Sequence, residues 1–310
     1  MEHSKTKVLY IAGMTRSGST ILGNILGELD ECFTVGEPVF TWGGVHGRMC
    51  GCGEIFTECQ VWNSILNDAF GDAKDQALAT LQKTKKSTRV FGNLYLLDWL
   101  LGSKNRLPDE YVSTLAKLYR SIQRVTGAKV IIDESKLAGY ALALSSIPGL
   151  EIWVLHLVRD PRAVAFSWQR KKTRPGQEGL SLPRYSNLRI ARKWMVENLA
   201  VRYFYGRTQR YFCLRYEDLF LSPEKYVDEI LAWMEIKKAP DPFITSRTVL
   251  IKKDHHLMLS NPVGIQKGEI ELKIDNEWVL KMPARDKLVV AVSTWPLMLA
   301  YHYPLSGVST

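Results

Sequence analysis

Residues 7 to 22, KVLYIAGMTRSGSTIL, constrain this chain more than any other stretch: a short apolar run breaks into a Gly/Ser/Thr/Arg loop and resumes at helical spacing. Ile21, Leu22, Ile25, Leu26 and Leu29 recur at i, i+3 and i+4, so the segment reads as a strand, an anion-binding turn and a helix N-terminus. Glycines let the backbone approach an anion closely, and the unpaired N–H groups of a helix start point at it. Ser17, Ser19 and Thr20 add hydroxyl donors. From Gly13 the spacing is G-x-x-x-x-G, as in a P-loop, but Ser19 stands where lysine should follow Gly18, and Thr20 comes next. Without that lysine a triphosphate would be poorly neutralised, whereas Arg16 inside the loop offers a planar cationic fork.

The remaining pattern alternates strands with helices. Cys32 to Gly36 reads as a second strand, and Pro38 biases Glu37 to an extended conformation beyond its end. KVIID (129–133) and EIWVLHLV (151–158) are near-continuous apolar runs, as expected of buried parallel strands. Asp160-Pro161 opens a helix that should run through Trp168 to about Lys172. A helix over Arg184 to Tyr205, a strand at RYFCL (210–214), a helix after Ser222-Pro223 and a last helix from about Arg285 continue the plan. Residues 40 to 127 differ, with a Gly/Cys/Trp-rich loop and helical patterns at Lys74 to Leu81, Phe91 to Leu101 and Asp109 to Thr126. They read as an insertion covering the sheet edge. The expected fold class is α/β, a P-loop-like three-layer domain with a central, mostly parallel sheet flanked by helices. One domain of 310 residues is expected, with the insertion at about 40–127.

The formal charge of +9 calls for an anionic partner: a nucleotide-like cofactor, nucleic acid or an acidic membrane surface. The densest basic cluster, Arg170-Lys171-Lys172-Thr173-Arg174, lacks interleaved aromatics, so it reads as a solvated helix end or the mouth of an anionic site rather than an RNA platform. No run approaches the ~20 apolar residues of a membrane span. Met1 to Thr6 is too short and polar for a signal peptide, and the expected compartment is cytoplasmic. Five cysteines argue against a secreted disulfide scaffold. Three of them, with His46, form H-x3-C-x-C-x6-C over Cys50, Cys52 and Cys59. A structural zinc is one reading, but the C-x-C spacing is tighter than usual, and reduced structural cysteines are preferred.

Three further segments carry chemistry. HLVRDPRAVAFSW (156–168) delivers Arg159 from the end of a buried strand and Ser167 from the next helix, both within reach of a ligand over the sheet, unless Arg159 merely pairs with Asp160 or Glu217. LRYEDLFLSPEK (214–225) presents Arg215, Tyr216, Glu217 and Asp218 at another strand end. In SNPVGIQKG (260–268), Lys267 and Gly268 can close over a phosphate.

In this order the motifs resemble those of the sulfotransferases that use 3′-phosphoadenosine 5′-phosphosulfate (PAPS). TRSGST is similar to their 5′-phosphosulfate loop and LVRDPRAVAFS to their 3′-phosphate motif. GEP (36–38), DESK (133–136), RYEDL (215–219) and NPV…KG (261–268) fall in the family's order. The likeness spans roughly residues 7 to 280 and is nearest to soluble bacterial members and to the tyrosylprotein and carbohydrate branches; Cys-Gly-Cys-Gly…Cys…Trp (50–62) looks like an insertion of the bacterial group. It implies that Arg16, Ser17, Gly18, Ser19 and Thr20 hold the 5′-phosphosulfate, and that Arg159 and Ser167 hold the 3′-phosphate. Tyr216, Lys267 and Gly268 would add cofactor contacts. Gln266 stands where cytosolic members carry arginine, so one cationic contact is missing or comes from elsewhere.

The implied reaction is in-line displacement at sulfur by an acceptor hydroxyl or amine. It needs a cation on the departing oxygen, for which Arg16 and Lys136 are candidates, and a base on the acceptor proton. Glu37 matches the catalytic glutamate of the tyrosylprotein branch, though it can also simply pair with Arg16. His255 or His256 is the alternative base, and Ser260 can help hold the departing group. No metal is required by this scheme. The acceptor is expected to be a small molecule: a natural-product alcohol first, then a sugar, an amine or a carrier-tethered acyl group. Trp42, Trp62, Tyr95 and Trp99 are candidates to shape its pocket, and neither nucleic acid nor membrane is an expected partner. Two competing readings are a small-molecule or nucleoside kinase, which the absent P-loop lysine disfavours, and a basic nucleic-acid-binding module, which would bind unrelated sequences with steep salt dependence.

Overall fold

The computed structural model describes residues 5–41, 49–87, 107–170, 173–174, 177–181, 184–258 and 267–307. Its first strand, β1 (Thr6–Ala12), is apolar from Val8 onward, where both of its faces are covered. Val8, Tyr10 and Ala12 enter one core and Leu9 and Ile11 the other, the two-residue period of a strand. Around it lie β2 (Cys32–Gly36), β3 (Val130–Lys136), β4 (Leu150–Val158) and β7 (Tyr211–Arg215), all parallel, in the order β2-β3-β1-β4-β7. The chain runs from β1 past β3 to β2, then returns through β3 and crosses to β4. The winding therefore reverses at β1, which opens a crevice at the carboxyl ends of the central strands.

One face of the sheet carries α1 (Ser19–Gly27), α9 (Tyr216–Leu221) and α10 (Pro223–Met234), with Leu22, Ile25 and Leu26 packed against Leu9, Ile132 and Leu155. The same core takes Val249, Ile251 and Leu272 from beside or within a small antiparallel sheet of β8 (Phe243–Thr245), β9 (Thr248–Ile251) and β10 (Gly268–Glu271). The other face carries α3 (Gln60–Phe70), α4 (Lys74–Ser87), α5 (Asp109–Thr126) and α6 (Ala138–Ser145), through Trp62, Ile65, Leu81, Leu115, Leu118 and Tyr140. A third core joins α7 (Pro161–Gln169), α8 (Asn187–Tyr205), α11 (Glu277–Lys281) and α12 (Ala284–Ala300) around Met14 and Val158. The short α2 (Pro38–Thr41) follows β2, and the paired β5 (Thr173–Arg174) and β6 (Gln177–Ser181) follow α7. Among the described residues no helix is long and apolar enough to cross a membrane.

Several expectations are corrected. The helices between β2 and β3 cover a face of the sheet, not only its edge, and α3 was not anticipated although Trp62, Ile65 and Leu66 have helical spacing. The small antiparallel sheet was not anticipated either. The helix expected at Phe91 to Leu101 lies outside the described residues. Strand β3 continues through the polar residues Asp133 to Lys136, which read as the end of the strand, because each is buried and partnered. Asp133 accepts from the Tyr119 hydroxyl and, at 2.8 Å, from the Ser135 amide, while Ser135 Oγ accepts from the Val39 amide at 3.3 Å.

Candidate functional site

The loop after β1 is held open by backbone that few side chains tolerate. Gly13 has φ +127°, and a Cβ there would lie 2.5 Å from the Leu157 carbonyl oxygen. Gly18, the N-cap of α1, has φ +89°, and its Cβ would lie 2.8 Å from the Tyr216 ring. Between them Arg16 itself takes a left-handed φ of +76°. The Gly13 amide donates to the Lys136 carbonyl at 3.1 Å, tying the loop to β3, and Ser17 Oγ donates to the Met14 carbonyl at 2.8 Å. Ser19 is buried and Thr20 half-buried in the first turn of α1, and Thr15 Oγ1 is a buried hydroxyl without a hydrogen-bond partner among the described residues. The Arg16 guanidinium lies over the Trp168 ring at 5.2 Å. Burial lowers its pKa, and the charge of Glu37 opposes that shift.

At the end of β3, Lys136 has a positive φ of +68°, and its ammonium donates to the Glu134 carbonyl at 3.0 Å and to the Glu37 carboxylate just beyond β2. Both side chains are largely buried, 4% and 12% exposed, so the pair is screened little by water. Glu37 thus pairs with Lys136, and its charge also acts on Arg16. Behind them, burial pushes the Glu134 carboxyl up to about 8, with Lys136 opposing and the Glu37 charge adding; burial likewise pushes Asp133 up to about 6.

At the end of β4, Arg159 is buried and closes on the loop, donating from Nη1 to the Arg16 carbonyl at 3.1 Å. Its guanidinium lies 4.1 Å from the centre of the Tyr216 ring. It pairs with neither Asp160, which takes the Arg162 guanidinium, nor Glu217, which accepts from the Tyr303 hydroxyl at 2.6 Å. Its partner is Asp275: Nη2 lies 2.9 Å from the Asp275 carbonyl and 3.4 Å from its carboxylate. Arg170 grips the same carboxylate with two bonds of 2.8 and 2.9 Å, and the Asp275 amide donates to the Tyr216 hydroxyl at 3.1 Å. Burial would raise Asp275, but the Arg170 hydrogen bonds and the Arg159 charge bring it below the usual carboxylate value.

The structure therefore brings Arg16, Arg159 and Tyr216 together at the phosphate-loop end of the sheet, and Glu37 with Lys136 at the neighbouring strand ends. Ser167 is buried on α7. Lys267 instead pairs with Asp254 on an exposed surface, with Gly268 opening β10 at φ +94°. Neither alternative base is free: His255 lies 3.0 Å from the Glu28 carboxylate, and His256 Nδ1 lies 3.3 Å from Cys59 Sγ. Trp62 is a fully buried core residue, which removes it from the acceptor pocket; Trp42, Tyr95, Trp99, His46 and Ser260 lie outside the described residues. Asp275 was missed, since no local motif surrounds a carboxylate whose partner Arg170 is 105 residues away. Arg170 was visible only as one member of a basic cluster.

A strand-end crevice with a glycine-hinged anion loop, buried guanidinium groups and one buried carboxylate–ammonium pair is suited to moving an anionic group onto a nucleophile. Known structures share this architecture. The sulfotransferase domain of the olefin synthase of Synechococcus PCC 7002 superposes with a TM-score of 0.57 at 16% identity, covering 99% of this chain and 98% of that one. The sulfotransferase domain from the curacin biosynthetic pathway gives 0.54 at 16% identity, covering 97% and 99%. A search of curated proteins gives no match. The profile of the sulfotransferase family matches residues 9–241, which span the loop, the Glu37–Lys136 pair, Arg159 and Tyr216, and the chain belongs to that family.

Proposed function

We propose that this protein transfers a sulfuryl group from PAPS to a hydroxyl or amine of a small acceptor by in-line displacement. The observation that carries the reading is the meeting of Arg159 with the carbonyl of Arg16, which joins the two anion-binding motifs into one cradle. The cradle suits a nucleotide with two anionic ends. Among the described residues Thr15 Oγ1 and Arg159 Nε are buried polar atoms with no partner, and the Asp275 carboxylate between Arg159 and Arg170 is a built-in stand-in for a phosphate. Arg16, Ser17, Gly18, Ser19 and Thr20 would hold the phosphosulfate end. Arg159, Ser167 and Tyr216 would hold the 3′-phosphate, with Arg170 supplying the cation that Gln266 lacks and Lys267 and Gly268 flanking it. PAPS, when bound, supplies the activated sulfuryl group and a stable nucleotide leaving group.

In this scheme Glu37 accepts the acceptor proton. Its carboxylate rests on the Lys136 ammonium, at the strand ends beside the loop. As Glu37 turns to the acceptor, the Lys136 ammonium is released toward the oxygen on which charge grows, where Arg16 adds a second cation. Both neighbouring sulfotransferase domains come from biosynthetic systems, an olefin synthase and the curacin pathway, which supports testing natural-product alcohols and carrier-tethered acyl groups first. Labelled PAPS offered with a panel of alcohols, sugars, amines and carrier-tethered hydroxyacyl groups tests reaction class and acceptor together. The product nucleotide 3′-phosphoadenosine 5′-phosphate (PAP) should also raise the melting temperature more than ATP does. Equal shifts, or magnesium-dependent phosphoryl transfer from ATP, would overturn the donor assignment.

A further inference from the structure

Three cysteines converge on one point with an imidazole from a distant part of the chain. Cys50 and Cys52 lie in a tight turn closed by the Cys50 amide on the Glu54 carbonyl at 2.7 Å and the Gly53 amide on the Cys50 carbonyl at 3.0 Å. Cys59 is the N-cap of α3. Its sulfur lies 3.7 Å from Cys50 Sγ, 3.8 Å from Cys52 Sγ and 3.3 Å from Nδ1 of His256, which is 197 residues further on. All four donor atoms lie within 4.8 Å of one another. A tetrahedral ion with bonds of about 2.3 Å to sulfur and about 2.0–2.1 Å to nitrogen requires S···S separations of about 3.8 Å and S···N separations of about 3.5 Å. The two sulfur spacings from Cys59 meet that requirement, the Cys59–His256 contact falls slightly inside it, and the remaining pairs lie within 4.8 Å.

We propose that Cys50, Cys52, Cys59 and His256 form a closed Cys3His site for a structural zinc ion. Thiolate-rich tetrahedral donor sets select zinc among the common divalent ions, and four protein ligands leave no open position for catalysis.

The framework is also built for the contact. A Cβ on Gly51 would lie 2.1 Å from the His255 carbonyl oxygen, so only glycine lets the cysteine turn press on the segment that carries His256. The Gly51 amide donates to the Leu257 carbonyl at 2.9 Å, and Trp62 Nε1 donates to the His256 carbonyl at 2.6 Å. The ion would pin this turn and the start of α3 to residues 254–258. That segment runs beside the end of β2, where the Met258 amide donates to the Val35 carbonyl at 3.0 Å. This inference does not depend on the donor or the acceptor of the reaction.

The test uses the full-length, tag-free chain purified without chelator. Elemental analysis should find one zinc per chain. X-ray absorption at the zinc edge should show three sulfur scatterers at about 2.3 Å and one nitrogen at about 2.0–2.1 Å. The thiols of Cys50, Cys52 and Cys59 should resist modification until a chelator is added, and chelation should lower the melting temperature. His256→Gln should weaken zinc, measured against a chelating indicator, by more than the roughly 10–100-fold lost with an outer-shell partner. A metal-free chain with three reactive thiols, an intact mass lowered by the two hydrogens of a disulfide, or an all-sulfur or oxygen-rich shell would each overturn the site. So would a His256→Gln protein with unchanged affinity and spectrum. If the His256→Gln protein does not fold, the absorption spectrum of the wild-type chain decides alone.

Discussion

Glu37→Gln separates the proton-accepting role from the structural one. Glu37 faces Lys136 in a setting nearly closed to water, so removing the carboxylate outright would leave a buried ammonium unpaired, a change that typically costs about 3–5 kcal/mol. Two features reduce that cost. The glutamine amide oxygen still accepts from the ammonium, and the Glu134 carboxyl beside it, held up to about 8 by burial with the Glu37 charge adding, falls in pKa once that charge is gone. The remaining loss is about 1–2 kcal/mol, or roughly 2–4 °C in melting temperature.

Turnover should respond far more. A positioned base contributes about 10²–10⁴ in rate, so kcat at saturating PAPS should fall by at least about 100-fold. The dissociation constant of PAP, measured by calorimetry, should stay within about threefold, because the charge removed is not one of the cradle's cations. A variant that keeps kcat within tenfold of wild type would mean that another group takes the proton. Loss of PAP affinity in step with kcat would mean that Glu37 serves the nucleotide site.

Three further outcomes are expected. Asp275→Asn should tighten PAP, since the carboxylate competes with a phosphate for Arg159 and Arg170; at one-third exposure the screened repulsion is about 1–2 kcal/mol, a fall in Kd of roughly 5- to 30-fold by calorimetry, and weaker binding would show instead that Asp275 orients the arginines. Gly18→Ala forces a Cβ into left-handed backbone and toward the Tyr216 ring, so denaturant unfolding should show a loss of about 2 kcal/mol together with weaker PAP binding, and a neutral variant would contradict the loop geometry. His156, buried between the Tyr211 hydroxyl at 2.8 Å and Asn198 Oδ1 at 2.9 Å, is held down to about 4 by burial, so the unfolded chain takes up a proton that the native one refuses. Its contribution is complete above about pH 6.5 and is lost as pH falls toward 4, at up to about 1.4 kcal/mol per pH unit; His156→Gln should flatten that slope in urea titrations, and an unchanged slope would refute the assignment.

The central strands were legible because they are buried on both faces, which writes much of their length as apolar runs, and because Gly13, Gly18 and Asp160-Pro161 mark turns that only certain residues can make. The site was legible where a motif is local. It was not where partners meet across the chain: Asp275 reaches Arg170 over 105 residues and His256 reaches Cys59 over 197, and neither carries a signal in its own neighbourhood. The polar run Asp133 to Lys136 misled for a related reason: charged residues normally end a buried strand, and here Tyr119, Val39 and Glu37, from three other elements or their edges, supply the partners that keep them inside.

The lysine absent from the loop has a counterpart in space. Lys136 ends the strand beside β1, and its carbonyl accepts from the Gly13 amide, so the ammonium is carried on the same rigid junction from which the loop departs. A loop lysine would move with the loop and stay committed to the phosphate. Lys136 instead rests on Glu37, so in the proposed reaction the charge that neutralises the leaving oxygen is released by the same motion that brings the base to the acceptor proton. Coupling the two events in one ion pair makes charge compensation depend on the acceptor's arrival, which disfavours loss of the sulfuryl group to water before an acceptor is bound. Lys136→Met would test that coupling: with labelled PAPS it should abolish transfer, because the leaving oxygen loses the cation that Glu37 holds in reserve. A variant that still transferred sulfuryl at the wild-type rate would show that Arg16 alone suffices.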